Sequence, residues 1–323
     1  MPLQESVADN LSLMPKMRWK TKHLLQNTLA SLPLNSDLYF RLQKQFGGFK
    51  HFSINSKVDQ GISLLEALKA NNLELRGKNT AEMGTGWTPI IPMLFALAGQ
   101  SRCVTCDVSQ LLQYDLCVQA AVQFNRIAAD LAKKISWAWG EESEINLRVM
   151  QSSLDAHDLL TKLHIDYHSD SSHPLRFLED AGTDIFFTND TLEHIPCEQL
   201  PFIFSEIRRV LKPDGVMIHL VDCSDHYSFD DTNINRINFL RFSTDQWERY
   251  NTRFLFQNRL RPSEYQQLLT SSGFTIEYWS QKQDQRALQE LKSFPLDPGF
   301  MRFSSEDLCA SSFIVIARPH IQP

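Results

Sequence analysis

The sequence contains no run of basic residues and has more acidic residues than basic ones. Its 32 lysines and arginines face 38 aspartates and glutamates, which gives a formal net charge of −6 at pH 7. Proteins that bind nucleic acids usually present a basic surface to the phosphate backbone. The charge balance therefore argues against RNA or DNA as a substrate.

Long apolar segments are also missing. No window approaches the roughly 18 uninterrupted apolar residues of a membrane-spanning helix, and the first ten residues, MPLQESVADN, lack the apolar core of a signal peptide. A content of 42% hydrophobic and 22% charged residues is ordinary for a folded enzyme. We expect a cytoplasmic protein of one large domain, or one domain with a cap, that does not bind membranes.

Patterns typical of disulfides or metal sites are scarce. The six cysteines are irregularly spaced, and the single CxxC, formed by Cys103 and Cys106, has neither a second CxxC nor a nearby histidine pair. Asp166, His168 and His173 do not repeat a tight ligand spacing elsewhere. The sequence therefore predicts reduced, structural thiols and no metal site.

The most informative stretch is residues 78–107, KNTAEMGTGWTPIIPMLFALAGQSRCVTCD. Its order of apolar, glycine-rich, apolar and β-rich segments predicts a strand, a glycine turn, a helix and a second strand. Such a turn lets the backbone approach a nucleotide, and the helix start presents free N–H groups. Asp107 ends the second strand, where an acid can accept hydrogen bonds from both ribose hydroxyls. The stretch predicts a nucleoside site.

The glycine count distinguishes between nucleosides. A dinucleotide site uses GxGxxG to hold pyrophosphate, whereas this chain has only Gly84 and Gly86 in the turn. Glu82 precedes them and would repel phosphate, but it could organise an ammonium group directly or through water. A zwitterionic nucleoside fits these residues better than a dinucleotide.

These residues resemble the first motif of the class I S-adenosylmethionine-dependent methyltransferases, an acid followed by GxGxG. The chain keeps Glu82, Gly84 and Gly86 and has Thr88 at the last glycine. DIFFTNDTLEHI at 184–195 resembles the fourth strand and its exit loop. RRVLKPDGVMIHLVD at 208–222 resembles the helix, turn and fifth strand.

The resemblance implies an α/β fold with a seven-stranded, doubly wound Rossmann-like sheet whose last strand is antiparallel. We expect a helical region over residues 1–75 and the Rossmann-like domain over 76–323. A long polar and aromatic segment predicts a lid inserted at about 226–262. Apolar spacing predicts a helix within 38–48 and one additional helix within 144–163.

The resemblance further implies S-adenosylmethionine as cofactor. The two strand-tip acids and the glycines belong to the predicted site, together with the exits of the third and fourth strands, which lie at the carboxyl edge of the sheet. The predicted cofactor-binding residues are Glu82, Gly84, Gly86, Asp107, Ser169, Asp170 and Asn189.

Methyl transfer to an O or N nucleophile of a small polar molecule is the expected activity. Two histidines, His194 after the fourth strand and His226 after the fifth, are alternative bases, because a neutral imidazole can take a proton from the nucleophile. His194 could instead cap the following helix, and Asp222 or Asp225 could orient His226. The candidate substrate contacts are Glu193, Tyr227, Arg241 and Arg259.

Two other functions remain open at this point. A nicotinamide-dependent oxidoreductase would need pyrophosphate binding at the glycine turn, which Glu82 and the missing third glycine disfavour. A non-catalytic, methyltransferase-like subunit that binds a partner protein is disfavoured by the presence of both Glu82 and Asp107. A homodimer contact through the N-terminal helices is a further possibility.

Overall fold

The computed structural model describes residues 18–31, 52–251 and 256–320. The helix predicted within 38–48 lies outside these ranges. Among the described helices, none combines the length and apolar character that crossing a membrane requires.

A single seven-stranded sheet forms the centre of the domain. The strands are β1 (Asn79–Met83), β2 (Arg102–Asp107), β3 (Ile165–Ser169), β4 (Thr183–Asn189), β5 (Leu211–Asp222), β6 (Phe274–Gln283) and β7 (Ala310–Pro319). They are arranged in the order β3-β2-β1-β4-β5-β7-β6. The strands β1 to β5 are parallel to one another, and β7 is antiparallel to both β5 and β6. The predicted sheet with an antiparallel last strand is confirmed.

Helices flank this sheet on both faces. They are α1 (Trp19–Ser31), α2 (Asn55–Ala70), α3 (Ile90–Leu97), α4 (Tyr114–Lys134), α5 (Glu141–Ser152), α6 (Ala156–Lys162), α7 (Leu200–Val210), α8 (Thr244–Glu248), α9 (Pro262–Ser271), α10 (Gln285–Glu290) and α11 (Ser305–Leu308).

Two hydrophobic clusters cover the two faces of the sheet. Along β4, Ile185 and Phe187 belong to one cluster and Phe186 belongs to the other. This alternation follows from the strand geometry, in which successive side chains point to opposite faces. Strands covered on both sides are continuously apolar, which is why DIFFT was recognisable as a central strand.

Helix α2 is part of the same core as the sheet. Its buried residues Val58, Ile62 and Leu65 belong to the cluster that also contains Ile185 and Phe187. Burying such side chains stabilises a fold by roughly 1.5 to 3 kcal/mol each. Helix α2 is therefore an integral part of the domain core.

The segment predicted as a lid has a hydrophobic cluster of its own. Tyr227, Phe239 and Trp247 pack there with Trp19 of α1 and with Leu308 of α11. The Trp19 backbone N–H also donates to Asp231 at 2.9 Å. The described part of the lid is thus packed against helices from both ends of the chain.

The prediction of one additional helix within 144–163 was wrong, because two helices occupy this stretch. α5 ends at Ser152 and α6 begins at Ala156. Between them Asp155 caps α6, since its side chain accepts a hydrogen bond from the Asp158 backbone N–H at 2.9 Å. A capping aspartate at this position starts a new helix and interrupts the old one.

Candidate active site

The carboxyl ends of β1 and β4 meet where the strand order reverses. From β1 the chain continues outward through β2 and β3, whereas β4 lies on the other side of β1. In open α/β sheets, ligands bind in the crevice at this switch point. The loop after β1 and the loop after β4 are in contact there. The Thr191 side chain lies so close to Gly84 that a Cβ added to Gly84 would overlap it.

The glycine turn has the backbone that the sequence predicted. Gly84 and Gly86 have φ angles of 96° and 66°, in the left-handed region that favours glycine. The Gly84 N–H donates to the carbonyl of Cys106 at 2.8 Å, which ties the turn to the end of β2.

Replacing Gly84 with alanine tests this close approach. The added Cβ would meet Thr191 and also carry the cost of a positive φ, so we expect a loss of roughly 1 to 3 kcal/mol of stability. Gly77→Ala is the matched control, because Gly77 has a φ of 70° and open space around the Cβ position. Thermal unfolding of both variants measures the difference. Equal destabilisation would contradict a tight contact between the two loops.

Glu82 lies at the end of β1 and is 4% exposed. Its carboxylate accepts a hydrogen bond from Thr105 Oγ1 on the paired strand. Burial raises the pKa of Glu82 to about 7, although the Thr105 hydrogen bond opposes this. A nearby positive charge would stabilise the ionised form of this buried carboxyl group.

Asp107 ends β2 beside the same turn. Its Oδ2 accepts a hydrogen bond from the Gly86 N–H at 2.6 Å. Burial raises the pKa of Asp107 to about 7, and the Gly86 N–H opposes the shift. The structure therefore brings Glu82, Gly84, Gly86 and Asp107 together as the sequence predicted.

The pKa values near 7 predict a pH-dependent cofactor affinity. Both carboxyl groups become protonated as the pH falls through about 7. Their ionised forms are the better acceptors for ribose hydroxyls and for an ammonium group. If one ionised group is required, the affinity for S-adenosylmethionine should fall about tenfold between about pH 8 and about pH 6. Calorimetric titration at several pH values measures this slope, and a flat profile would contradict the assignment.

The two residues predicted after the third strand lie next to Asp107. Ser169 on β3 is paired with Asp107 on β2, and the Ser169 hydroxyl donates a hydrogen bond to Gln110 Oε1. The Asp170 N–H donates to the Asp107 carbonyl at 3.0 Å. Hydrogen bonds from Ser172 hold the pKa of Asp170 down to about 2. Both residues are at the expected edge, and the Asp170 carboxylate is engaged within its own turn.

Side chains of α2 form hydrogen bonds with the residues at the end of β4. Asn189 Nδ2 donates to Gln60 Oε1 at 2.9 Å, and Asp190 Oδ2 accepts from Lys57 Nζ and Gln60 Nε2 at 2.8 and 2.7 Å. Asp190 has a φ of 49°, a backbone that non-glycine residues seldom adopt. The sequence analysis missed Lys57 and Gln60, because helical spacing alone does not indicate what the polar face of α2 contacts.

Glu193, His194 and His226 converge beyond this point. Glu193 and His194 lie on the 3₁₀ turn Leu192–His194 after β4, and His226 begins the 3₁₀ turn His226–Phe229 after β5. One ligating atom from each lies within 4.8 Å of the others. The two imidazole ring centres are 5.0 Å apart. The structure thus assembles both candidate bases and one predicted substrate contact.

The neighbours of the two imidazoles differ. His194 Nδ1 lies 2.6 Å from the Phe256 carbonyl, so Nδ1 carries the proton and donates it, leaving the Nε2 lone pair free. Desolvation and the nearby His226 lower the pKa of His194 to about 4. His226 Nε2 instead lies 3.5 Å from Asp222 Oδ2. Despite burial, His226 and Ser224 lower the pKa of that carboxyl.

Of the two acids proposed to orient His226, Asp222 faces its ring. Asp225 is fully buried and caps the turn, where it accepts from the Tyr227 N–H and from Asn238 Nδ2 at 2.9 Å each.

Three of the residues predicted to contact the substrate lie in the lid and form hydrogen bonds with other residues of the protein. Tyr227 is 1% exposed and its hydroxyl donates to the Tyr250 carbonyl at 3.1 Å. Arg259 is buried and donates to the carbonyls of Phe239 and Phe242 at 2.9 and 2.6 Å. Arg241 is exposed and its Nη1 donates to Asn238 Oδ1 at 3.3 Å. These contacts favour structural roles, so the proposed site does not include these three residues.

Comparison with known proteins gives one family match. Residues 142–219 match the model of a methyltransferase domain family. A search among curated proteins gave no significant match. The matched segment runs from α5 into β5 and agrees with the methyltransferase resemblance seen in the sequence, and the strand order is that of the predicted Rossmann-like fold.

Solved structures that the chain resembles are distant in sequence. A geranyl diphosphate methyltransferase in complex with SAM is 12% identical, with 91% of this chain and 94% of that chain covered and a TM-score of 0.45. Phosphoethanolamine N-methyltransferase 2 of Haemonchus contortus is 14% identical, with coverages of 92% and 60% and a TM-score of 0.46. An S-adenosylmethionine-dependent methyltransferase from Mesorhizobium loti is 14% identical, with coverages of 81% and 99% and a TM-score of 0.41.

Proposed function

We propose that the protein transfers the methyl group of S-adenosylmethionine to an oxygen or nitrogen nucleophile of a small polar molecule. The observation that carries the proposal is the convergence of Glu193, His194 and His226 at the carboxyl edge of the sheet, where Thr191 of the same loop as Glu193 and His194 contacts Gly84 of the glycine turn. Acid-base groups lie there beside a nucleoside cradle formed by Glu82 and Asp107.

The cradle residues bind and orient the cofactor. Asp107 accepts hydrogen bonds from the ribose hydroxyls, and Glu82 organises the ammonium group, directly or through water. The left-handed turn at Gly84 and Gly86 lets the backbone approach the cofactor. Because the sulfonium is already activated, alignment of nucleophile, methyl carbon and sulfur supplies most of the rate.

In the reaction, the nucleophile forms a bond to the methyl carbon while the carbon–sulfur bond breaks. The electron pair of that bond goes to sulfur, which gives S-adenosylhomocysteine, and the proton of the nucleophile goes to an imidazole. We favour His226 as the base, because Asp222 at 3.5 Å stabilises the imidazolium that forms. His194, with a pKa near 4, stays neutral and its Nε2 accepts a hydrogen bond from the acceptor.

The site favours a small acceptor for two reasons. The first turn of α2 covers the end of β4 through Lys57 and Gln60. Asp190 and Asp222 lie near His194, and Glu193 clusters with both histidines, so the site is acidic and unsuited to a nucleic-acid polyanion.

The proposal is tested by incubating the protein with S-adenosylmethionine and a panel of small hydroxyl- and amine-containing compounds. We expect S-adenosylhomocysteine to form with a subset of the panel, together with a product one methylene group heavier. Cofactor binding without turnover on any acceptor would favour the non-catalytic binding subunit instead.

A further inference from the structure

We propose that Glu193, His194 and His226 together bind a divalent transition-metal cation. In the role that we assign to it, which rests on the proposed function, the cation binds a hydroxyl group of the methyl acceptor. The sequence analysis predicted no metal site, because His226 lies on a different loop from Glu193 and His194 and the three residues have no recognisable ligand spacing.

The fold brings the three side chains together. β4 and β5 are adjacent and parallel, with Asn189 paired to Leu220, so the turns that follow them meet at one edge. The candidate ligand atoms lie within 4.8 Å of one another. Ligands at about 2.1 Å from one cation lie roughly 3 to 4 Å apart. Small side-chain rotations would therefore complete the coordination.

Buried polar atoms without partners point to a ligand at this place. Glu193 is 3% exposed, and within the described part of the chain neither of its carboxylate oxygens has a hydrogen-bond partner. Among the described residues His226 Nε2 also makes no hydrogen bond, and it lies 3.5 Å from Asp222 Oδ2. Leaving an ionised carboxylate buried and unpaired is costly. A bound cation would satisfy all three atoms at once.

Neighbouring groups hold the ligands in orientation. His194 Nδ1 donates to the Phe256 carbonyl, which directs Nε2 as the free lone pair. Asp222 Oδ2, 3.5 Å from His226 Nε2, adds negative charge beside the cation position, and Asp190, whose Oδ2 is held by Lys57, has its buried Oδ1 without a partner among the described residues. Metal-binding histidines and carboxylates usually have such supporting contacts.

The donor set indicates the type of metal. Two imidazole nitrogens and one carboxylate suit Mn²⁺, Fe²⁺, Co²⁺ or Zn²⁺ better than Ca²⁺ or Mg²⁺, which prefer oxygen ligands. Three protein ligands leave coordination positions for an acceptor.

A coordinated acceptor hydroxyl would lose its proton to water near neutral pH. Its oxygen would then attack the methyl carbon as the carbon–sulfur bond breaks and the electron pair goes to sulfur. In the metal-bound form both imidazoles are ligands. Neither acts as the base, because the cation-bound hydroxyl has already lost its proton to water.

The experiment uses the full chain after treatment with EDTA. Calorimetric titration with Mn²⁺, Co²⁺ or Zn²⁺ is expected to give one site per chain, and bound Co²⁺ is expected to show the absorption bands of imidazole and carboxylate coordination. Glu193→Gln and His226→Asn should each weaken binding by at least about tenfold. His173→Asn is the matched control, because His173 pairs with Glu206 at 3.2 Å outside the cluster. An unchanged cation affinity of the His173→Asn variant supports a cation site formed by Glu193, His194 and His226.

Affinity for S-adenosylmethionine reports whether the variants fold, and we expect it to stay within about twofold of the parent. Absence of stoichiometric cation binding in the parent protein would overturn the inference, and so would equal cation affinity in the Glu193→Gln variant. If methyl transfer proceeds and no cation binds, the inference fails and the proposed function stands. If the cation binds and no acceptor is methylated, the proposed function fails and the site stands.

Discussion

Replacing Asp107 with alanine is expected to weaken S-adenosylmethionine binding by about 100-fold. The variant loses the carboxylate that we expect to accept hydrogen bonds from both ribose hydroxyls, and hydrogen bonds to charged groups contribute roughly 1.5 to 3 kcal/mol each. It also removes the acceptor of the Gly86 N–H, which loosens the glycine turn. Calorimetry with S-adenosylmethionine and with S-adenosylhomocysteine measures the change, and both ligands should be affected alike because they share the ribose.

Asp166→Ala is the matched control for this variant. Asp166 lies on the neighbouring strand β3 and forms an exposed ion pair with Arg102 at 2.7 Å. Exposed ion pairs contribute little to stability, so this variant should bind the cofactor like the parent. Intact affinity in Asp107→Ala would mean that the ribose binds elsewhere.

Replacing His226 with asparagine is expected to lower kcat by at least about 100-fold, the effect of removing a general base. The cofactor cradle is formed by β1 and β2, so the affinity for S-adenosylmethionine should be unchanged. Initial rates of S-adenosylhomocysteine formation with the acceptor from the compound panel measure the loss. His194→Asn should cost less, because desolvation already makes His194 a weak base.

The same variant separates the two roles of His226. A residue that serves only as a base leaves cation binding intact when it is replaced, whereas loss of a ligand weakens cation binding together with the rate. His173→Asn again serves as the control for the general effect of removing a histidine. An unchanged rate in His226→Asn would remove this residue from the mechanism.

Those parts of the site that depend on local order along the chain were predictable. Glu82, Gly84, Gly86 and Asp107 belong to one strand-turn-helix-strand unit, so their spacing determines how they meet. The central strands were recognisable because they are buried on both faces and therefore continuously apolar. The antiparallel β7 followed from the family resemblance.

Contacts between distant segments were not predictable in the same way. Lys57 reaches Asp190 only because α2 is packed into the core, and nothing in its helical pattern indicates the partner. Arg259 is typical of a carboxylate site by residue type, yet its guanidinium is satisfied by backbone carbonyls in the lid. The unpartnered state of Glu193 depends on what surrounds it in space, which a single sequence does not reveal.

The most direct test of the central claim is a crystal structure of the protein with S-adenosylhomocysteine. We expect the ribose hydroxyls within hydrogen-bond distance of Asp107, the amino acid moiety close to the turn at Gly84 and Gly86, and the sulfur directed toward His194 and His226. A nucleoside bound elsewhere, or a crevice between β1 and β4 that stays closed at saturating ligand, would contradict the account.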